Sequence, residues 1–173
     1  MKPDSWPDPD MLPLGWLGPH PGKDQPRATN YTPDEQRTEF TLWAISRSPL
    51  ILGANLTKLD DFTRSLITNK EVLEMNQNAV ESKPGLTPNP EPGKKPFLQR
   101  YWYARTGGQH PKQYIAVFNL EDAATSSNLP WMVFHLEDKG HAVYDVWGQK
   151  HIPAAKALHV ELPPHGCALF RIE

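Results

Sequence analysis

The sequence predicts two regimes in one chain, an α/β segment followed by an all-β domain. Three observations predict this. Proline is concentrated in two stretches, eight of the 19 residues in 1–33 and five more in 84–96. Residues 32–78 carry helical spacing around one short apolar run, whereas residues 97–173 shift toward alternation of period two.

The elements follow in chain order. Thr32-Pro33-Asp34-Glu35 combines an N-cap hydroxyl, proline at the first helical position and a glutamate placed to complete a capping box. The helix is expected to reach about Ser48, where Pro49 stops it. Phe40, Trp43 and Ala44 share one face, widened by Leu42 and Ile45, so the helix is expected to be largely buried, with Trp43 in the core. Leu50-Ile51-Leu52-Gly53 reads as a short strand covered on both faces, as in a parallel sheet. Leu59–Thr68 and Lys70–Asn76 read as two short helices, with Leu59, Phe62, Leu66 and Ile67 at helical spacing. Helix, buried strand and helix form a β/α signature that needs more strands than this segment supplies.

Residues 83–96, Lys-Pro-Gly-Leu-Thr-Pro-Asn-Pro-Glu-Pro-Gly-Lys-Lys-Pro, cannot sustain a helix or a central strand, because proline fixes φ and removes ladder donors. They are read as a linker between residues 1–82 and residues 97–173. Beyond them six strands are expected, at Phe97–Arg105, Gln113–Leu120, Trp131–Glu137, Ala142–Trp147, Leu158–Leu162 and Cys167–Ile172. Their spacing predicts an antiparallel sandwich or small barrel.

Composition narrows the function. The chain has 173 residues, too few for a complete eightfold β/α barrel of about 250. With 38% hydrophobic residues, including six Trp, five Tyr and six Phe, it can build a core. A formal charge of -2 gives no broad attraction to nucleic acid or to an anionic membrane surface. No apolar run approaches the ~20 residues that span a bilayer, and the first residues lack the apolar stretch of a signal peptide. The lone Cys167 has no partner for an internal disulfide. The seven histidines show no zinc-like pairing, so no metal and no cofactor are expected.

The densest polar constellation is Trp6-Pro7-Asp8-Pro9-Asp10-Met11-Leu12. Two carboxylates beside an indole suit hydrogen bonding to sugar hydroxyls with a ring stacked on the pyranose, or an acid/base pair. Alternating Asp and Pro equally make a plain Asx-type turn, the commoner use of the pattern. Asp60-Asp61 reads as the charged start of a helix. The sequons at Asn30 and Asn55 are weak signals, the second adjoining the predicted strand. Trp102, Trp131 and Trp147 suit a sugar-stacking platform, although aromatics in strands are more often core.

Three collinear blocks carry a family resemblance: Trp6–Leu12, Asp34–Leu56 and Leu66–Gln77. With Tyr144-Asp-Val-Trp147 and Leu162–Ile172, the chain resembles the melibiase-type α-galactosidases, glycoside hydrolase family 27. The resemblance implies the C-terminal portion of a (β/α)8 barrel, its last strand lying at Leu50–Leu52 and its last helices following, and then a C-terminal antiparallel β-sandwich. It implies hydrolysis of terminal α-D-galactosides with retention through two aspartates, and places Asp10 and Met11 against the bound sugar, with Trp6 and Asp8 supporting the turn. Pro7 departs from the family block, where Asn is usual.

Both family catalytic aspartates lie upstream of the Trp6 block, so no residue here is assigned a catalytic role. The chain alone is expected to be inactive, its ligand an α-galactoside met through the complete enzyme, with association to cover an open barrel edge. The alternative is a stand-alone, non-catalytic sandwich that binds carbohydrate or serves a structural role.

Overall fold

The structure is a computed structural model that describes residues 6–19, 25–85 and 100–173. Most of the predicted linker, from residue 86 onward, lies outside the described residues.

The N-terminal segment begins with a small antiparallel pair, β1 (Trp16–Leu17) and β2 (Arg27–Ala28). Helix α1 (Pro33–Ile45) starts as the sequence dictates: Thr32 Oγ1 accepts the Glu35 N–H, and the Glu35 carboxylate accepts the Thr32 N–H. It ends three residues short of the expected Ser48, because Arg47 turns into the left-handed region at φ +64°. A 3-10 turn at Leu56–Lys58 is followed by α2 (Asp61–Ile67) and α3 (Lys70–Asn78). Asn55, Asp60 and Asn69 each cap the element after them through a side-chain oxygen. The capping by Asp60 matches its reading as a helix start.

The sandwich opens earlier than expected. Strand β3 (Ala79–Pro84) runs through Lys83 and Pro84 and pairs antiparallel with β4 (Tyr101–Thr106). Pro84 is tolerated because β3 lies at the edge of its sheet. Strands β5 (Gln113–Phe118), β7 (His141–Asp145) and β10 (Cys167–Ile172) correspond to expected strands. The run at Trp131 does not. Trp131–Phe134 is a 3-10 turn in which Trp131, Val133 and Phe134 are buried and Met132 is exposed. Trp131 and Phe134 share a face at three residues per turn, and the Trp131 indole donates to the Ala155 carbonyl at 2.8 Å. Two strands are absent from the sequence reading, β6 (Thr125–Pro130) just before this turn and β8 (Lys150–Ala155) after β7, and β9 (Ala157–Leu162) completes the set.

The order β3-β4-β5-β10-β7-β8 forms a six-stranded antiparallel sheet, and β6-β9 a two-stranded one. Alternation along β5 sends Ile115 and Val117 toward the small sheet, where they meet Leu129, Trp131, Leu158 and Val160. Tyr114, Ala116 and Phe118 point the other way, into a core shared with Leu12, Phe40, Ala44 and Met75. The large sheet is therefore the middle of three layers, with α1 and α3 on one face and the small sheet on the other.

Two burial expectations are corrected. Leu50–Leu52 is not covered on both faces. Among the described residues it meets strand backbone through a single bridge, Leu12 with Leu52 in parallel, with a second just beyond it, Leu17 with Ala54 in antiparallel, and Ile51 is 53% exposed. Trp43 is partly buried beside the core, because the far side of its ring lines an open groove.

Candidate functional site

The four residues singled out at Trp6, Asp8, Asp10 and Met11 lie in one turn, which carries two side-chain-to-backbone bonds of its own. Asp8 Oδ1 accepts the Asp10 N–H at 3.2 Å, and Asp10 Oδ1 accepts the Met11 N–H at 2.7 Å. These are Asx-type bonds, which aspartate forms readily because its short carboxylate reaches its own backbone. Asp10 sits at φ +75°, a left-handed conformation uncommon for a residue with a side chain.

Bonds from outside the turn fix it to the fold. The Trp43 indole N–H donates to the Asp10 carbonyl at 3.1 Å. Immediately after, Leu12 N–H donates to the Ile51 carbonyl at 2.7 Å and Gly53 N–H to the Leu12 carbonyl at 2.9 Å, which makes the parallel bridge to Leu52. Met11 lies over Gly53, where an added Cβ would come within 2.9 Å of the Met11 sulfur. The turn thus presents two exposed carboxylates and, beside them, a thioether that is 52% exposed. Charged acceptors next to a soft apolar group suit a polyhydroxylated ligand, whose hydroxyls donate and whose C–H faces pack.

Behind the turn an open groove of about 580 Å³ is lined by Trp6, Pro7, Pro9, Leu42, Trp43 and Trp102. Trp6 is 51% exposed, with the Arg47 guanidinium 5.4 Å from its ring centre. The aromatic platform considered for Trp102, Trp131 and Trp147 is not assembled. Trp131 packs in the core between the two sheets, while Trp102 and Trp147 lie on the helix side of the large sheet. The Trp147 indole donates to Thr41 Oγ1 at 3.1 Å.

Other polar groups with perturbed chemistry lie away from the turn. Burial raises the Glu39 carboxyl to about 7, and its Oε2 is enclosed without a hydrogen-bond partner among the described residues. Burial likewise raises the Cys167 thiol to about 11, its sulfur lying 3.4 Å from Thr41 Oγ1. Glu71 gathers the Tyr114 hydroxyl at 2.8 Å, Lys112 Nζ at 3.4 Å and Arg171 Nε at 3.5 Å. Cys167 and Glu71 did not stand out in the sequence, because these partners are 41 or more residues away. Among the described residues no three His, Cys, Asp or Glu side chains converge to hold a metal ion.

Comparison with known proteins matches the two halves separately. Residues 1–78 match a family model described as alpha galactosidase A, and residues 99–172 one described as the alpha galactosidase C-terminal beta sandwich domain. Alpha-galactosidase 2 of Arabidopsis thaliana is 27% identical over 99% of this chain and 39% of its own length. The alpha-galactosidase of Cyamopsis tetragonoloba is 37% identical over 45% of this chain and 16% of its own. Among solved structures, a GH27 β-L-arabinopyranosidase from Geobacillus stearothermophilus is 32% identical, with a TM-score of 0.80, covering 97% of this chain and 37% of the other. The chain thus spans at most about two-fifths of the length of these relatives.

Proposed function

The chain belongs to the α-galactosidase-type enzymes of glycoside hydrolase family 27, and we propose that it forms the C-terminal part of a retaining hydrolase of terminal α-D-galactosides. On this reading residues 6–78 supply the last strands and helices of the (β/α)8 barrel, and the sheets from β3 onward form the accessory sandwich. The observation that carries it is the parallel bridge between Leu12 and Leu52, with α1 lying between them in sequence. A parallel pair joined through a helix belongs to a larger sheet covered on both faces. The exposure of Ile51 and Met11 marks the side on which further barrel elements would pack, so association along this edge belongs to the same proposal.

Asp10 then accepts hydrogen bonds from sugar hydroxyls, Met11 packs against the ring, and Trp6 and Asp8 support the turn. A sugar ligand is in keeping with the Geobacillus relative, one structure of which is a complex with arabinose. Neither carboxylate of the turn is assigned a catalytic role, because the family's nucleophile and acid/base correspond to residues before Trp6. Without leaving-group protonation or a covalent step, little rate enhancement is left. The chain incubated with 4-nitrophenyl α-D-galactopyranoside is therefore expected to release no nitrophenol above the buffer rate. Clear turnover would show that the catalytic residues are misassigned. The packing of α1 on β5 and β10 and of α3 on β3 and β4 favours this reading over a stand-alone sandwich, whose helix-facing side would be bare.

A further inference from the structure

We propose that Trp43 and Gly53 are positioning residues for the Asp10–Met11 turn, Trp43 holding the Asp10 backbone and Gly53 seating the Met11 side chain; the functional part of this inference rests on Asp10 and Met11 contacting sugar.

The local bonds of the turn leave its shape under-determined. Asp8 Oδ1 to the Asp10 N–H and Asp10 Oδ1 to the Met11 N–H both arise within four residues. Such short side-chain-to-backbone bonds do not by themselves fix the hand of the residue, and aspartate tolerates several, whereas Asp10 is held at φ +75°. A left-handed residue with a side chain is uncommon, aspartate tolerating it better than most, and the conformation persists where the surroundings over-determine it. The Trp43 indole supplies such a determinant. Its N–H reaches the Asp10 carbonyl from α1, 33 residues away, so it fixes the peptide that joins the two sugar-facing residues. One side of the ring packs against the core, and the other lines the groove with Pro9, Leu42 and Trp102.

Gly53 acts on the next residue. Its backbone is locked to Leu12 by the parallel bridge, so it cannot retreat. A Cβ at this position would stand 2.9 Å from the Met11 sulfur and 3.3 Å from its Cγ. Any side chain at 53 would push the thioether out of its seat over the strand. The two residues therefore set where the carboxylate and the thioether of the turn point.

The test uses the full chain labelled with ¹⁵N and ¹³C, with Trp43→Phe and Gly53→Ala variants. Trp43→Phe keeps an aromatic wall in the groove and removes the donor together with the five-membered ring that bears it. It is expected to move the Asp10 and Met11 backbone resonances away from the left-handed pattern while most of the spectrum is unchanged. Gly53→Ala is expected to move the Met11 methyl resonance. In the unaltered chain the Trp43 indole N–H should exchange with solvent more slowly than an unbonded indole, a measurement that needs no variant to fold. Titration with galactose should then show an affinity about fivefold weaker for Trp43→Phe, the loss expected for one hydrogen bond. Unchanged Asp10 and Met11 resonances, a fast-exchanging Trp43 indole, or shifts spread through the whole core would each overturn the proposal. If galactose perturbs neither Asp10 nor Met11 in the unaltered chain, the sugar-site reading fails, while the backbone and methyl resonances still decide the positioning roles.

Discussion

Glu39 is the residue whose titration most directly reaches stability. Its carboxyl is raised from an ordinary 4.5 to about 7 by burial, so the folded state keeps a proton that the unfolded chain loses. Below pH 4.5 both states are protonated and the residue costs nothing. As pH rises from 4.5 to 7 the unfolded state gives up its proton first, so stability falls across that window and levels off above it. Glu39→Gln should flatten this slope and raise the melting temperature at pH 8 by about 2–4 °C, the equivalent of ~1 kcal/mol once solvent screening of a partly enclosed group is allowed for. Melting curves of both proteins at pH 4.5 and pH 8 check it; a difference that does not change with pH would show that Glu39 ionises freely. The sequence held no sign of this, since a lone glutamate on a helix carries no local mark of being enclosed. By contrast, the grouping of Trp6, Asp8, Asp10 and Met11 was legible, because alternating Asp and Pro is a local turn signal. Trp43's part in that turn was not, since a contact across 33 residues leaves no local trace.

At the scale of elements, legibility followed position in the sheet. The central strands β5 and β10 have apolar residues facing both layers, so they read as strands with nearly correct bounds. The strands missed, β3, β6 and β8, border solvent on one side and bury few residues. Thr125–Asn128 is polar, and Lys150–Ala155 is interrupted by Pro153, which the edge of a sheet tolerates. Helix α1 was legible from its cap alone, and α3 from its spacing. What joins α3 to the sheet is a polar clamp that spacing cannot reveal: the Tyr114 hydroxyl donates to Glu71, while Lys112 Nζ also lies 2.6 Å from Glu74. Burial, with the Glu71 carboxylate beside it, raises the Tyr114 phenol, which stays protonated and donating. Tyr114→Phe should destabilise the chain by about 1.5–3 kcal/mol, the range for a hydrogen bond to a charged acceptor. A double-mutant cycle with Glu71→Gln separates the pair from the rest of the clamp. Additive effects of the two substitutions in urea denaturation would show that the bond carries no coupling.

The whole molecule turns on the middle layer. A sandwich taken as residues 97–173 would lack β3 and would leave the Tyr114, Ala116 and Leu169 side of the large sheet without Phe40, Ala44 and Met75. That side is buried in the intact chain, with Tyr114, Ala116 and Leu169 each fully enclosed. Bare, it would be a contiguous apolar face of the kind that drives aggregation. The strand before the proline-rich stretch pairs with the strand after it, so the large sheet takes residues from both sides of that stretch. The full chain should unfold in one cooperative transition, with α1, α3 and both sheets melting together. Residues 97–173 produced alone should bind a hydrophobic dye such as ANS and melt without a sharp transition. Adding the chain back from Ala79 should not restore cooperativity, since β3 completes the sheet edge and not its helical cover. A sharp, dye-free melt of 97–173 would show instead that the sandwich is autonomous, and would return weight to a stand-alone module at the expense of a unit built across both halves.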